Sequence, residues 1–266
     1  MSQKNAVKKR IISFDLDMTL LDHKTWEIPS SAMEALKHLR EDSLLVIASG
    51  RNMDHELSSV YRDIIKPDAV IHMNGTRVVA GETVLFEHLM DKERLRALLS
   101  YGEKNGLSMG MSTGGYDYFI HPQEVTRIDE MRWGVSERNY RDGWELMELP
   151  VRTLAYIGGP EGAKKLEDNF PDFKFPMFSG NMGADVVERE ASKAKGLLRL
   201  CEFYGIDMEH TVAFGDSMND YEIVLEAGIG IAMGNSVKAL KTVADYVTDD
   251  IDRDGVWKAC RHYGWV

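Results

Sequence analysis

Four short clusters in this chain carry side chains that could do chemistry together. The first is Asp15-Leu16-Asp17-Met18-Thr19. Alternation along an extended segment turns Asp15 and Asp17 to one face. Two neighbouring carboxylates repel unless a cation or a shared proton offsets them. Alone, either Asp would read as a turn former or cap. The second cluster, Ser49-Gly50-Arg51, offers a hydroxyl and backbone N–H groups at a strand-to-helix turn, which can hold an anion or simply cap the helix. The third, Ser192-Lys193, puts an ammonium near a helix N-terminus. There it opposes the helix dipole unless it is solvated or binds an anion; nearby Lys195 reads as the solvated one. The fourth, Gly215-Asp216-Ser217-Met218-Asn219-Asp220, gathers two acids and an amide at a strand end, more than a capped turn needs.

The elements that must position these clusters follow from the apolar pattern. Short β-branched runs alternate with helical periodicity, which is the α/β signal. Strands are predicted over residues 10–14, 44–48, 69–73, 211–214, 229–233 and 246–248. Near-continuous apolar strands belong to a parallel sheet covered on both faces, whose ligands bind outside the carboxyl ends of the strands. The first, second and fourth clusters all follow strands. Ser31 and Glu34, at capping-box spacing, are expected to open a helix carrying Met33, Leu36 and Leu39. His72, before Met73-Asn74-Gly75, reads as a turn histidine.

The middle of the chain differs. It predicts a helix within 87–106, Gly- and aromatic-rich strands around 109–120, a helix near 124–133, and strand-like runs at 151–157 and 173–182. Residues 83–183 are therefore expected to form an inserted α+β domain, with 1–82 and 184–266 forming the first one. Tyr116, Tyr118, His121 and Arg127 are candidate ligand contacts there, although an aromatic strand face is more often core. Met109-Gly110-Met111 reads as an adaptable wall or as filler.

Composition removes several function classes. The 266 residues hold 32 Lys and Arg against 43 Asp and Glu, a net charge of −11, and 44% are hydrophobic. That is enough apolar material for a full core and excludes disorder as the main state. The acidic balance argues against a nucleic-acid partner, which demands clustered cations. Two cysteines, Cys201 and Cys260, argue against a disulfide scaffold or a zinc site. The basic start, with Lys8-Lys9-Arg10 as a solvated strand entry, lacks the unbroken apolar stretch of a signal peptide. No run reaches membrane-span length. The expectation is a cytoplasmic protein without a membrane partner.

In order, DxDxT, a Ser after the second strand, a Lys and GDxxND resemble the four-motif pattern of the haloacid dehalogenase (HAD) superfamily. The match falls on Asp15, Asp17, Thr19, Ser49, Lys193, Asp216, Asn219 and Asp220. The long interval between Ser49 and Lys193 leaves room for a cap domain. The runs SKAKGLLRL, VAFGDSMND, AGIGIAMGNSVKALKTVADYVT and DRDGVWKA look like the Cof-type sugar-phosphatase branch. The resemblance covers both outer segments, while the insert matches mainly by length and position. It departs at Ala194, where many relatives carry glycine, and at Arg253-Asp254.

This resemblance implies a doubly wound, Rossmann-type parallel sheet with an inserted α+β cap that reads the substrate. It also implies an Mg²⁺-dependent phosphatase acting on small phosphomonoesters, such as sugar phosphates, through an aspartyl-phosphate. Asp15 would be the nucleophile and Asp17 the proton donor and acceptor. Asp15, the backbone carbonyl of Asp17 and Asp216 would hold Mg²⁺, with Asp220 behind them. Ser49, Lys193, Asn219 and the N–H groups of Leu16 and Gly50 would bind the transferring phosphoryl group, and Thr19 would fix the turn carrying Asp15. The implied partner is a small phosphorylated metabolite, and the implied assembly a monomer or small homo-oligomer. A sugar phosphomutase of the same superfamily fits the same motifs. A phospho-accepting signalling module would be about half this length and would not need Asp17, and a binding protein with a silent site would not need the intact motifs.

Overall fold

Apolar runs too short for helices pair side by side at the start of the chain. In the computed structural model, which describes residues 10–178 and 180–266, β1 (Arg10–Phe14), β2 (Ser43–Ala48) and β3 (Ala69–His72) are parallel neighbours. Helix α1 (Ser30–Leu39) joins the first two strands and α2 (Glu56–Ile65) the next two. Antiparallel strands β4 (Arg77–Ala80) and β5 (Thr83–Glu87) extend the sheet. The chain then runs through α3 (Lys92–Asn105), β6 (Ser108–Thr113), β7 (Tyr116–Ile120), α4 (Pro122–Trp133), β8 (Tyr140–Asp142), β9 (Leu154–Ile157), α5 (Pro160–Asn169), β10 (Phe173–Lys174) and β11 (Gly183–Glu188). It ends with α6 (Lys193–Tyr204), β12 (Thr211–Gly215), α7 (Tyr221–Glu226), β13 (Ile229–Ala232), α8 (Lys238–Lys241), β14 (Tyr246–Val247) and α9 (Gly255–His262).

These elements make two compact units, one from the segments up to Glu87 and from Ala191 onward, the other from His88–Glu190. The first holds an eight-stranded sheet in the order β14-β13-β12-β1-β2-β3-β4-β5. Strand alternation sends Ile12, Leu45 and Val212 to one face, where α1 and α9 pack, and Ile11, Val46 and Ala213 to the other, where α6 and α7 pack. This is the doubly wound α/β architecture, with apolar cores on both faces. The second unit is α+β, with a six-stranded sheet β10-β11-β9-β6-β7-β8 in which only the β7–β8 pair is parallel among those described. Its core gathers Leu95, Leu98, Leu99, Met109, Ile120, Leu146, Leu154 and Val186.

Some local expectations change. Residues 83–87 pair with β4 in the first sheet, and 183–188 pair with β9 in the second, so the unit limits fall several residues beyond 83 and 183. The run expected as a strand over 173–182 contributes only Phe173–Lys174, and Gly183–Glu188 is the long strand instead. Ser31 does not cap α1. The helix begins at Ser30 after Pro29, and the Ser31 hydroxyl is buried without a hydrogen bond to the described residues. The capping box lies elsewhere, at Ser217 and Asp220. His72 ends β3, fully buried, and its Nδ1 accepts the Met53 N–H at 3.1 Å, a structural staple rather than a turn residue. Lys8 and Lys9 lie outside the described residues; Arg10 bonds Ser43 and Asp42. Among the described residues no helix is long and apolar enough to cross a membrane.

Candidate active site

Register brings the clusters together. Phe14 lies opposite both Ile47 and Phe214, so the segments following β1, β2 and β12 leave the same sheet edge. Asp15 continues the ladder, its N–H donating to the Phe214 carbonyl at 3.0 Å. Leu16 follows, and its carbonyl accepts the N–H groups of Thr19, Leu20 and Leu21 to close a tight turn. Met18 takes a left-handed φ of 60° in that turn, and Asn235 Nδ2 donates to its carbonyl at 2.8 Å. Thr19 is buried, but its hydroxyl makes no hydrogen bond to the described residues, so it does not fix the turn through that group.

The fourth cluster depends on one glycine. A Cβ on Gly215 would sit 2.4 Å from the Asp220 Cβ, so only glycine lets the Asp220 side chain fold back against β12. Asp220 Oδ2 then accepts the N–H groups of Asp216 and Ser217 at 3.0 and 3.1 Å.

Lys193, the first residue of α6, reaches into this edge. Its side chain is 0% exposed, and Nζ donates to Asp15 Oδ1 at 2.6 Å and Asp220 Oδ1 at 2.7 Å. The dipole conflict expected of a lysine at this position is thus resolved by anions of the chain itself. Ser192 caps α6 by accepting the Lys195 N–H, and Lys195 is exposed.

Carboxylate oxygens of Asp15, Asp216 and Asp220 lie within 4.8 Å of one another. Burial pushes the Asp15 carboxyl up to about 8, against the pull of Lys193 and with the help of Asp220 and Asp17. Asp216 is raised well above the usual carboxylate range by burial and by the neighbouring Asp15 and Asp220. Burial disfavours the charge on Lys193, but Asp15 and Asp220 overcome this and raise its pKa. Three buried carboxylates against one ammonium leave a deficit of two positive charges, which is the donor set and the charge a hard divalent cation fits.

Asp17 points to different partners. Its Oδ2 accepts Arg51 Nε at 2.7 Å, and Oδ1 accepts the Arg51 guanidinium and pairs with His23 Nε2 at 2.6 Å. Despite the opposing effect of burial, these bonds hold Asp17 down at about 2. His23 in turn stacks on Trp26 at 4.6 Å. Ser49 is fully buried at the end of β2, with its Oγ accepting the Arg51 N–H at 3.1 Å; Gly50 is the residue between them. Asn219 Oδ1 accepts the Ser217 hydroxyl at 2.7 Å.

Sequence reading missed the pairing of Arg51 and His23 with Asp17 and the hold of Asn235 on Met18. Arg51 stood beside a recognised motif, whereas His23 and Asn235 carried no local signal. In the second unit, His121 Nε2 donates to the Glu103 carbonyl at 3.0 Å, and Arg127 pairs with Glu124. Tyr116 packs on Tyr118 and lies under Arg141, while Met109 is core and Met111 packs partly against it. Ala194, the second residue of α6, is buried in the core, and Asp254 takes a left-handed φ of 62° before α9.

A family model for haloacid dehalogenase-like hydrolases matches residues 12–260. The chain belongs to that family. Among HAD relatives, a Bacillus subtilis protein, 5-amino-6-(5-phospho-D-ribitylamino)uracil phosphatase YcsE, is 47% identical over 269 residues, 99% of this chain and 98% of that one. A phosphoglycolate phosphatase of Methanobrevibacter smithii is 35% identical over 256 residues, covering 95% and 97%. The structure of the HAD subclass IIB sugar phosphatase BT4131 superposes with a TM-score of 0.85 at 28% identity, covering 97% of this chain and all of that one. This HAD protein is an enzyme, a phosphatase.

Proposed function

We propose that this phosphatase hydrolyses small phosphomonoesters of the sugar-phosphate type in two transfers through an aspartyl-phosphate on Asp15. The observation that carries this reading is the buried Lys193 ammonium bridging Asp15 and Asp220, with the Asp216 carboxylate beside them. Lys193 opposes the burial that favours the protonated form of Asp15, a bound cation would complete the shift to the carboxylate that a nucleophile must be, and the ammonium supplies a donor to a phosphoryl oxygen.

In the first transfer an Asp15 oxygen would attack phosphorus in line while the phosphorus–alkoxide bond breaks, with Asp17 giving its proton to the leaving oxygen. In the second, Asp17 would take a proton from water as the water oxygen attacks phosphorus and releases Asp15. The bonds from Arg51 and His23 keep Asp17 ionised before substrate arrives. A phosphoryl dianion would compete for Arg51, and loosening that bond raises the Asp17 pKa toward the proton-donating range. Ser49, Asn219 and the Leu16 and Gly50 N–H groups would carry the other phosphoryl oxygens, because the transition state spreads charge over them. Asp15, Asp216 and the Asp17 carbonyl would hold Mg²⁺, which when bound offsets the repulsion between Asp15 and the phosphoryl dianion. Asp220, with both oxygens already bonded to Lys193, Asp216 and Ser217, would act from behind these groups. Residues 88–190 would act as a cap that selects the leaving group.

The relative named for 5-amino-6-(5-phospho-D-ribitylamino)uracil makes that phosphorylated ribityl compound the first substrate to try, beside hexose and pentose phosphates and phosphoglycolate. Crystal structures of a relative 29% identical to this chain show a trigonal-bipyramidal intermediate conserved in a phosphoryl-transfer superfamily, which supports in-line transfer. The test is phosphate release from that panel with Mg²⁺ and with EDTA. Metal-dependent release ranked by leaving group is the expected result. Isomerised sugar phosphate without free phosphate would favour a mutase instead.

A further inference from the structure

The turn after β3 is wedged among three of the four motif clusters. Met73, Asn74 and Gly75 take successive left-handed φ values of 46°, 55° and 88°. The Asn74 N–H donates to the Ser49 carbonyl at 3.0 Å, and the Met73 N–H to the Arg51 carbonyl at 3.1 Å. A Cβ on Gly75 would lie 2.0 Å from the carbonyl oxygen of Ser192, the residue before Lys193, so only glycine allows this approach. Asn219 Nδ2 donates to Asn74 Oδ1 at 3.1 Å.

The amides form a relay. The Ser217 hydroxyl, which also accepts the Asp220 N–H in the capping box, donates to Asn219 Oδ1. Asn219 Nδ2 donates in turn to Asn74 Oδ1. The relay ends on Asn74 Nδ2. This group is buried, in a residue only 4% exposed, and makes no hydrogen bond to any described residue. A buried donor without an acceptor is unfavourable, and a strained backbone that keeps one beside Ser49 and Asn219 holds it ready for a ligand acceptor.

We propose that Asn74 is a phosphate-binding residue whose Nδ2 donates to an oxygen of the transferring phosphoryl group. The proposal rests on the phosphoryl-transfer reading above. The left-handed turn and the Asn219 bond hold the amide in place before the dianion enters, so little ordering is needed at the moment of transfer.

Asn74→Gly and Asn74→Asp both tolerate the backbone conformation, and both remove the donor. Three quantities test them: kcat/KM with p-nitrophenyl phosphate, the Kd of inorganic phosphate by calorimetry in Mg²⁺, and Tm. Both variants should lose on the order of 10- to 100-fold in kcat/KM and bind inorganic phosphate more weakly by a similar factor, with little change in Tm. In an Asn219→Ala background, Asn74→Gly should weaken phosphate binding further. Wild-type phosphate affinity in both variants would overturn the proposal. So would a loss that vanishes once Asn219 is removed, because Asn74 would then act only through Asn219. Phosphate binding is read without turnover. If the unaltered enzyme hydrolyses no phosphomonoester, the phosphatase reading falls, and the phosphate titration still decides for or against Asn74.

Discussion

The first unit buries Asp15, Asp216 and Asp220 around one ammonium, Lys193. The second buries Asp117 and Asp129 around one guanidinium, Arg138, which bonds both of them. Both are acid clusters crossed by a cation, yet their electrostatics run in opposite directions. In the second unit, donors saturate the carboxylates: Ser112 and the Asn139 N–H also serve Asp117, and Ser136 serves Asp129. Although burial opposes it, these bonds hold the Asp117 carboxyl below its usual range. In the first unit, burial and mutual repulsion drive Asp15 and Asp216 the other way. A satisfied cluster is a structural tie, whereas an under-compensated one is poised to take up a cation and a reacting group.

That contrast can be broken most sharply at Asp15. Asp15→Asn should lower phosphate release by at least about 10³-fold, since the nucleophile is lost. Substantial residual turnover in a clean preparation would remove the reason for calling this cluster reactive. The next test concerns the missing positive charge. Mg²⁺ at about 100 times its Kd should stabilise the unaltered protein by about 2.7 kcal/mol, seen as a rise in Tm of several degrees. Asp216→Asn should lose most of that rise, and an equal Mg²⁺ response in both proteins would separate the acid cluster from metal binding.

The second unit supplies the counterpart. Arg138→Met strands two largely buried carboxylates, so it should destabilise by about 2 kcal/mol, measured by denaturant unfolding, with kcat little changed. A large loss of kcat without a loss of stability would make the two clusters alike in kind. The smallest effect expected is that of pH. In the metal-free protein, native Asp15 keeps a proton up to about pH 8 that the unfolded chain releases near pH 4, so stability should fall as pH rises across that interval. Asp117, with its native pKa lowered, contributes stability that is present above about pH 4 and lost below it. Between pH 6 and 8.5, thermal unfolding in chelator should therefore show a decline in Tm that Asp15→Asn reduces and Mg²⁺ flattens.

Much of the first unit was legible because its strands are nearly all apolar and its acids sit at their ends. Arg10–Phe14, Thr211–Gly215 and the clusters that follow β1, β2 and β12 could be placed from local pattern alone. The second unit was harder. Gly183–Glu188 carries a glycine and an aspartate within a largely buried strand, so its period is weak and the expected unit limit falls inside it. The Ser31–Glu34 spacing imitated a capping box, but Pro29 already sets the start of α1 and leaves Ser31 inside the helix.

By itself the sequence determined the alternation of strands and helices and the acid, hydroxyl and ammonium clusters at their ends; phosphoryl transfer came from the resemblance of those motifs to a known family. The alternation follows from short-range periodicity, which needs no knowledge of the folded chain. Only the tertiary structure decided how the charges pair. Lys193 meets Asp15 across 178 residues of chain, and Asn219 meets Asn74 across 145. His23 and Arg51 converge on Asp17 only once the turn after β1 has folded. Whether a carboxylate is quenched or left reactive depends on burial and on neighbours within a few ångströms, and those neighbours come from distant parts of the sequence.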